Sequence, residues 1–426
     1  MTKHDYPALD ETLYRQVLPN GLTVFVVPKP GFTKKLAYFV TDFGAVHTEF
    51  TLDGMHHQVP AGVAHYLEHK LFDQKDRDVT GEFAKLGAVV NAFTSYDMTA
   101  YYFSTTENFD ACLKLLLEFV STPYFTEESV EKERGIIDQE IGMNADDPAM
   151  QVFERLTNAM FHHPIRQPIL GTEQDIRQIT PQMLYLCHRA FYTPANMILC
   201  VVGDVDPAQV TATARHILGD CIHLPAQKAP FPEEPMAVIA QKATRQMDVA
   251  MPMFNLGFKC EPLGKGEEAI RQEIIGDLAA EVLFGEASAL YLDMYGKGLI
   301  DSSFGGGFET IDGCALLNCS GDSYQPEAVR DAILAEAAHL CTAGIDETQF
   351  QRLKRSAMGR RIRDLDSFDS TCFRLCAYQM SDFDYFRFPE LYHSITAAQV
   401  QQFLAQIVKP ERCSLSVIDT LKEEIL

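Results

Sequence analysis

The chain has 426 residues, 46% hydrophobic and 22% charged, ordinary values for a folded protein but too many residues for a single core. Its formal net charge is −23, from 59 acidic against 36 basic residues, which argues against non-specific binding to nucleic acid or an anionic membrane. The N-terminal stretch lacks the apolar segment of a secretory signal, no apolar run is long enough to span a bilayer, and the 11 cysteines form no paired motif, so a cytoplasmic, reduced protein is expected.

Tyr14–Leu18 and Leu22–Val27 read as strands joined by the hairpin turn Asn20-Gly21. Lys35–Asp42 reads as a third strand. Pro60 and Gly62 then lead into a helix carrying His65-Tyr66-Leu67-Glu68-His69. Positions i, i+3 and i+4 share one helix face, so both imidazoles and the carboxylate point at one spot. This is the H-x-x-E-H arrangement for zinc: two His nitrogens bind the ion and Glu68 is left to take a proton from a water the ion activates. The competing reading is two packed histidines on an ordinary helix. His47, His56, His57, His162 and His163 suit loop or capping roles better than metal binding.

Thr80–Leu86 predicts a helix closed by Gly87, Val89–Thr94 and Thr99–Ser104 predict strands, and Phe109–Ser121 predicts an amphipathic helix. Thr126 caps a further helix with Glu127 and Glu128 in its first turn, running to about Met143. A catalytic zinc on two histidines lacks one protein ligand, and this helix offers Glu131, Glu133 and Glu140. Glu133 and Glu140 are two turns apart on one face. Ile136, Ile137 and Ile141 predict an apolar face nearby. The pattern alone leaves Glu133 and Glu140 both open.

An internal repeat is the second signal. Ile179-Thr180 returns as Ile395-Thr396, 216 residues on, and Pro194, Leu199 and Val201 return as Pro410, Leu415 and Val417. Residues 1–223 form a zinc-binding catalytic half, 224–236 a proline-rich linker, and 237–426 a homologous half. At the same offset His65, Glu68 and His69 fall on Glu281, Phe284 and Gly285, so the second half has no metal ligands there. The expected class is α+β, each half a mainly antiparallel sheet packed with helices and related to the other by duplication. Cys372 and Cys376 read as small buried thiols on a helix, and Gly305-Gly306-Gly307 as a flexible turn or bulge.

The chain resembles the pitrilysin-type inverzincin metallopeptidases, the group of insulin-degrading enzyme and mitochondrial processing peptidase. The resemblance spans nearly the whole chain. It rests on Leu18-Pro19-Asn20-Gly21-Leu22, Gly62-Val63-Ala64-His65-Tyr66-Leu67-Glu68-His69 and Asn91-Ala92-Phe93-Thr94-Ser95. It continues in Glu133-Arg134-Gly135-Ile136-Ile137-Asp138-Gln139-Glu140, His163-Pro164 and Gly171-Thr172. It implies a zinc ion held by His65, His69 and Glu140, with Glu68 as general base. It implies that Glu133 serves catalysis by orienting a histidine ligand, and that Asn91 and Ala92 contact a peptide added to an edge strand.

The implied activity is that of a zinc endopeptidase acting on small or unfolded peptides. The implied assembly is a homodimer, or a heterodimer with a homologue lacking the zinc motif. The members it is most similar to are small bacterial ones associated with elongation factor P modification. One departure stands out. Lys297 and Asp301 fall where an Arg and a Tyr are typical, leaving Tyr291 or Tyr295 to support the scissile carbonyl. That departure keeps a second reading in play, a weakly active or non-catalytic subunit of a heterodimer. A zinc deaminase would need a P-C-x-x-C motif, which the sequence lacks.

Overall fold

The computed structural model describes residues 1–75 and 77–421. They form two compact units, each with its own sheet. In the first, the Asn20-Gly21 turn closes a hairpin between Glu11–Val17 and Thr23–Pro28. Gly21 takes φ +91°, open to glycine, and Leu18 and Leu22 close the turn by a 2.8 Å backbone bond.

That hairpin belongs to a seven-stranded sheet, ordered Thr2–Tyr6, Glu11–Val17, Thr23–Pro28, Met197–Gly203, Lys35–Thr41, Thr99–Thr105, Ala88–Thr94. The second unit has five strands, ordered Lys242–Met247, Cys413–Thr420, Met253–Lys259, Cys314–Asp322, Gly305–Ile311. The inner architecture is the same. In each, one parallel pair joins an early strand to the strand that closes the half, and the neighbouring pairs are antiparallel. Helices pack on both sheets, so the class is α+β.

The repeat is visible element by element. Thr180 caps the helix Pro181–Phe191 as Thr396 caps Ala397–Ile407. Short turns follow at Pro194–Asn196 and Pro410–Arg412, then the strands Met197–Gly203 and Cys413–Thr420. The two strands are buried along nearly their whole length, as expected of central strands.

The units are not contiguous in sequence. The first comprises Met1–Ile141, Pro168–Pro230 and Ile362–Phe386; the second comprises Gly142–Gln167, Phe231–Arg361 and Arg387–Leu426. The helix Pro148–Met160, early in the chain, packs on the second sheet, while Phe368–Met380, late in the chain, packs on the first. Cys372 and Cys376 are buried on this late helix, and the Cys372 thiol lies 3.7 Å from the carbonyl of Cys200.

In the second unit, Glu234 from the proline-rich stretch pairs at 2.5 Å with Lys259, both nearly inaccessible to solvent. It also accepts the backbone N–H of His162 and His163.

One sequence expectation is corrected. Gly305-Gly306-Gly307 is no turn but the start of the edge strand Gly305–Ile311. A Cβ on Gly306 would lie 2.4 Å from the Phe284 ring and 2.7 Å from the carbonyl of Asn318, so glycine is needed there for close approach. By sheet position this run is the counterpart of Asn91-Ala92-Phe93. Thr94 faces Thr99, which faces Thr41, as Phe308 faces Leu317, which faces Phe258. Among the described residues no helix is long and apolar enough to cross a membrane.

Two glycines fix where the motif helix starts. Gly62, at φ +83°, precedes Val63–Phe72, and Gly171, at φ +70°, lies against it. A Cβ on Gly62 would sit 2.2 Å from the carbonyl oxygen of Leu170, and one on Gly171 would sit 2.6 Å from that of Ala61. Gly62→Ala therefore combines left-handed strain with a backbone clash and is expected to lose about 2–4 kcal/mol. Gly31→Ala, at φ +80° with open space around it, should lose about 1–2 kcal/mol from strain alone. Chemical denaturation of both variants measures the difference, and equal losses would show that the close packing contributes nothing.

Candidate metal centre

The helix Val63–Phe72 is buried on most of its surface. Val63, Ala64, Tyr66, Leu67 and Leu71 pack into the core, which leaves His65, Glu68 and His69 on one remaining face. The glutamate-rich helix Glu127–Asp146 runs beside it. Thr126 and Ser129 cap that helix reciprocally, the Thr126 hydroxyl accepting the Ser129 N–H at 3.1 Å. Its packing is narrower than its three isoleucines suggest. Ile137 is buried, whereas Ile136 faces solvent.

Three contacts tie the helices together. The Tyr66 hydroxyl donates to the carbonyl of Val130, the fully buried Lys70 ammonium donates to that of Ser129 at 3.3 Å, and Glu133 Oε1 lies 3.0 Å from His69 Nδ1. Two turns further, Glu140 reaches both histidines. Its Oε1 is 3.7 Å from His65 Nε2 and its Oε2 is 3.7 Å from His69 Nε2. Ligand atoms of His65, His69 and Glu140 all lie within 4.8 Å of one another, and no other such cluster of three occurs among the described residues.

These separations are too long for hydrogen bonds and suit donors around a common centre. Two ligands about 2.1 Å from a tetrahedral ion are about 3.4 Å apart. Two imidazole nitrogens and one carboxylate are also the donor chemistry of a catalytic zinc site. Burial, helped by the charge of neighbouring His69, pushes His65 down to about 3, so its ring is neutral and can offer a lone pair. Burial also pulls His69 down, but the Glu133 hydrogen bond and the charges of Glu68, Glu133 and Glu140 outweigh it and leave it raised. With Nδ1 held by Glu133, the ring presents Nε2 to Glu140.

Glu68 stands beside the cluster, 8% exposed. Burial lifts its carboxyl above the ordinary range, and the Thr94 hydroxyl, donating to its Oε2 at 2.8 Å, partly offsets this. Sequence reading missed Thr94. The signal was present, since Thr94 and Ala92 alternate onto one face of the strand Ala88–Thr94 while Asn91 and Phe93 take the other.

Asn91 and Ala92 lie outside the donor cluster. They sit on that edge strand, which pairs on one side only. Asn91 is exposed, and its own Oδ1 accepts the N–H of Ala92 at 2.9 Å, so this N–H faces the open side.

Other candidates are engaged elsewhere. Glu131 pairs with Arg134 near solvent. His47 and His163 accept the backbone N–H of Gly44 and Ile165. In the second unit, Lys297 pairs with Asp293 at 2.6 Å, Asp301 accepts from the N–H and hydroxyl of Ser303, and Tyr291 and Tyr295 stack with centroids 5.9 Å apart.

Comparison with known proteins gives consistent results. Residues 55–173 match the family model described as Insulinase (Peptidase family M16), and residues 178–357 match the one described as Peptidase M16 inactive domain. The chain is 36% identical over 420 residues to "Uncharacterized zinc protease YmfH" of Bacillus subtilis, covering 96% of this chain and 97% of that one. It is 27% identical over 320 residues to "Zinc protease PqqE" of Helicobacter pylori, covering 72% and 71%. The fold is similar to the crystal structure of an M16-like peptidase from Alicyclobacillus acidocaldarius, at TM-score 0.92 and 30% identity, covering 96% and 99%.

If Glu133 orients His69 for a metal, Glu133→Ala should weaken zinc binding by about 10–100-fold, while Glu131→Ala leaves it unchanged. Competition against a chromogenic chelator reads both. Equal affinity in the Glu133 variant and the wild type would remove the orienting role.

Proposed function

This chain belongs to peptidase family M16, the insulinase family, and we propose that it is a zinc endopeptidase that hydrolyses small or unfolded peptides. The observation that carries this reading is the convergence of His65, His69 and Glu140 with a buried acid of raised proton affinity, Glu68, beside them. His65 and His69 would hold zinc through Nε2, and Glu140 through its carboxylate. Bound there, zinc supplies a Lewis acid that polarises a peptide carbonyl and acidifies water.

The chain's own groups do the rest. Glu68 takes the proton from the attacking water and passes it to the leaving amine, a double duty suited to a carboxyl whose proton affinity burial has raised. Thr94 holds Glu68 in place by donating to Oε2, which leaves Oε1 for the proton. Glu133 keeps the His69 ring turned. The open edge of Ala88–Thr94 offers main-chain groups to an extended peptide, with the Asn91 side chain giving up the Ala92 N–H to a substrate carbonyl.

A second reading has one observation in its favour. Lys297 and Asp301 make local pairs in the second unit instead of presenting free groups, which suits a subunit whose partner completes the site. In either reading the chain works as a homodimer, or as a heterodimer with a homologue lacking the zinc motif.

Glu68→Gln separates the readings. The variant should retain about one zinc per chain and lose at least about 100-fold in cleavage of a peptide library. Thr94→Val should lose less, about 3–10-fold, by freeing the carboxylate. A Glu68→Gln protein that cleaves as well as wild type, or a wild-type protein that takes up no zinc, would end the peptidase reading. Wild-type protein that binds zinc but cleaves only after the homologue is added would support the subunit reading.

A further inference from the structure

The acid excess of this chain is locally reversed. The helix Glu347–Arg363, which lies in the second unit as far as Arg361, carries Arg352, Lys354, Arg355, Arg360, Arg361 and Arg363 against a single acid, Glu347. Part of this helix and part of Phe388–Ser394 line an open cleft of about 500 Å³, within the size range of small-ligand sites. Its lining is Gln351, Lys354, Arg355, Met358, Tyr392 and His393, with no carboxylate among them.

The cations in this wall are short of acceptors. Lys354 is 9% exposed, yet its ammonium has three protons and meets one carbonyl, that of Ile395 at 2.9 Å, with the face of Phe350 at 5.6 Å. Burial holds it below the ordinary lysine range, with Glu347 opposing. The Arg355 Nε donates to the carbonyl of Gln351 in its own helix, and its guanidinium makes no ion pair among the described residues. The acids nearby are already taken. Glu347 accepts from Gln351 at 2.7 Å, and Glu390 and Glu267 pair with Arg387 at 3.0 and 2.9 Å. The Lys354 ammonium meets no carboxylate and the solvent-exposed Arg355 guanidinium is unpaired among the described residues, so this wall has positive charge available for an arriving anion.

We propose that this cleft binds the C-terminal carboxylate of a short peptide, with Arg355 and Lys354 receiving the charge and Met358 and Tyr392 receiving the terminal side chain. The guanidinium fork fits a carboxylate. A net charge of −23 repels polyanions at long range, so the favoured ligand carries one negative charge and an apolar body. Tyr392 is 3% exposed, so its ring is packed into the wall that would meet that body. The site stands on its own residues and does not depend on the peptidase reading.

The test uses full-length protein with a chelator present, so that neither metal binding nor cleavage contributes. An N-terminally labelled tripeptide with uncharged side chains is titrated by fluorescence anisotropy, as the free acid and as the amide. The free acid should bind at least about tenfold more tightly than the amide. Arg355→Gln, on the exposed side of the helix, should weaken the acid by about tenfold, leave the amide unchanged and keep the wild-type unfolding midpoint. Equal binding of acid and amide overturns the proposal, as does an Arg355→Gln variant with wild-type affinity. Inorganic phosphate that displaces the peptide at equal concentration also overturns it, because the site would then select phosphate.

Discussion

Everything at the candidate metal centre depends on one alignment, the axial register between the motif helix and the glutamate-rich helix. Tyr66, His69 and Lys70 reach across to Val130, Glu133 and Ser129, and Lys70 does so from a fully buried position. A slip of one helical turn, about 5.4 Å, would break all three contacts at once. Because the contacts involve backbone carbonyls as well as side chains, the register is set by the helix itself and less by any one residue. Glu140 then needs no further guidance. Two turns beyond Glu133 on the same face, it arrives between His65 and His69.

The second half shows what became of the same architecture without that demand. At the positions corresponding to His65 and Glu68, Glu281 pairs with Arg360, and Phe284 packs against Phe304 and over Gly306. Polar groups that would have to be desolvated for metal binding are replaced by an ion pair at the surface and an aromatic contact in the core. The edge strand changed with them. Where the first unit presents Asn91-Ala92-Phe93, the second presents three glycines, the middle one with no room for a Cβ.

How much of this was legible in the sequence follows from the range of each interaction. The H-x-x-E-H face, the Asn20-Gly21 turn and the repeated Thr-capped helices were readable because each is decided within a few residues. The roles of Glu133 and Glu140 were not separable by spacing, since both occupy one face. They differ in which ring nitrogen they meet, Nδ1 for one and Nε2 for the other. Thr94 was missed on a different ground: strand alternation gave its face, but its partner Glu68 is 26 residues away in sequence. Ile136 was misjudged because a helix lying against one neighbour buries a narrower stripe than an apolar triplet suggests. The glycine run misled because glycine permits a turn and a tight approach equally well.

The exchange of helices has a consequence for how the polypeptide is made. The strands Lys35–Thr41 and Met197–Gly203 receive part of their cover from Phe368–Met380, which is synthesised long after them. A nascent chain leaving the ribosome therefore carries a first half whose sheet stays partly bare while most of the other half is still being translated. That apolar surface must be shielded during the wait, by transient packing or by a chaperone. The duplicated halves have thereby lost the independence that duplication would otherwise give them: the first cannot finish folding on the schedule of its own synthesis, and the second needs a helix made before it.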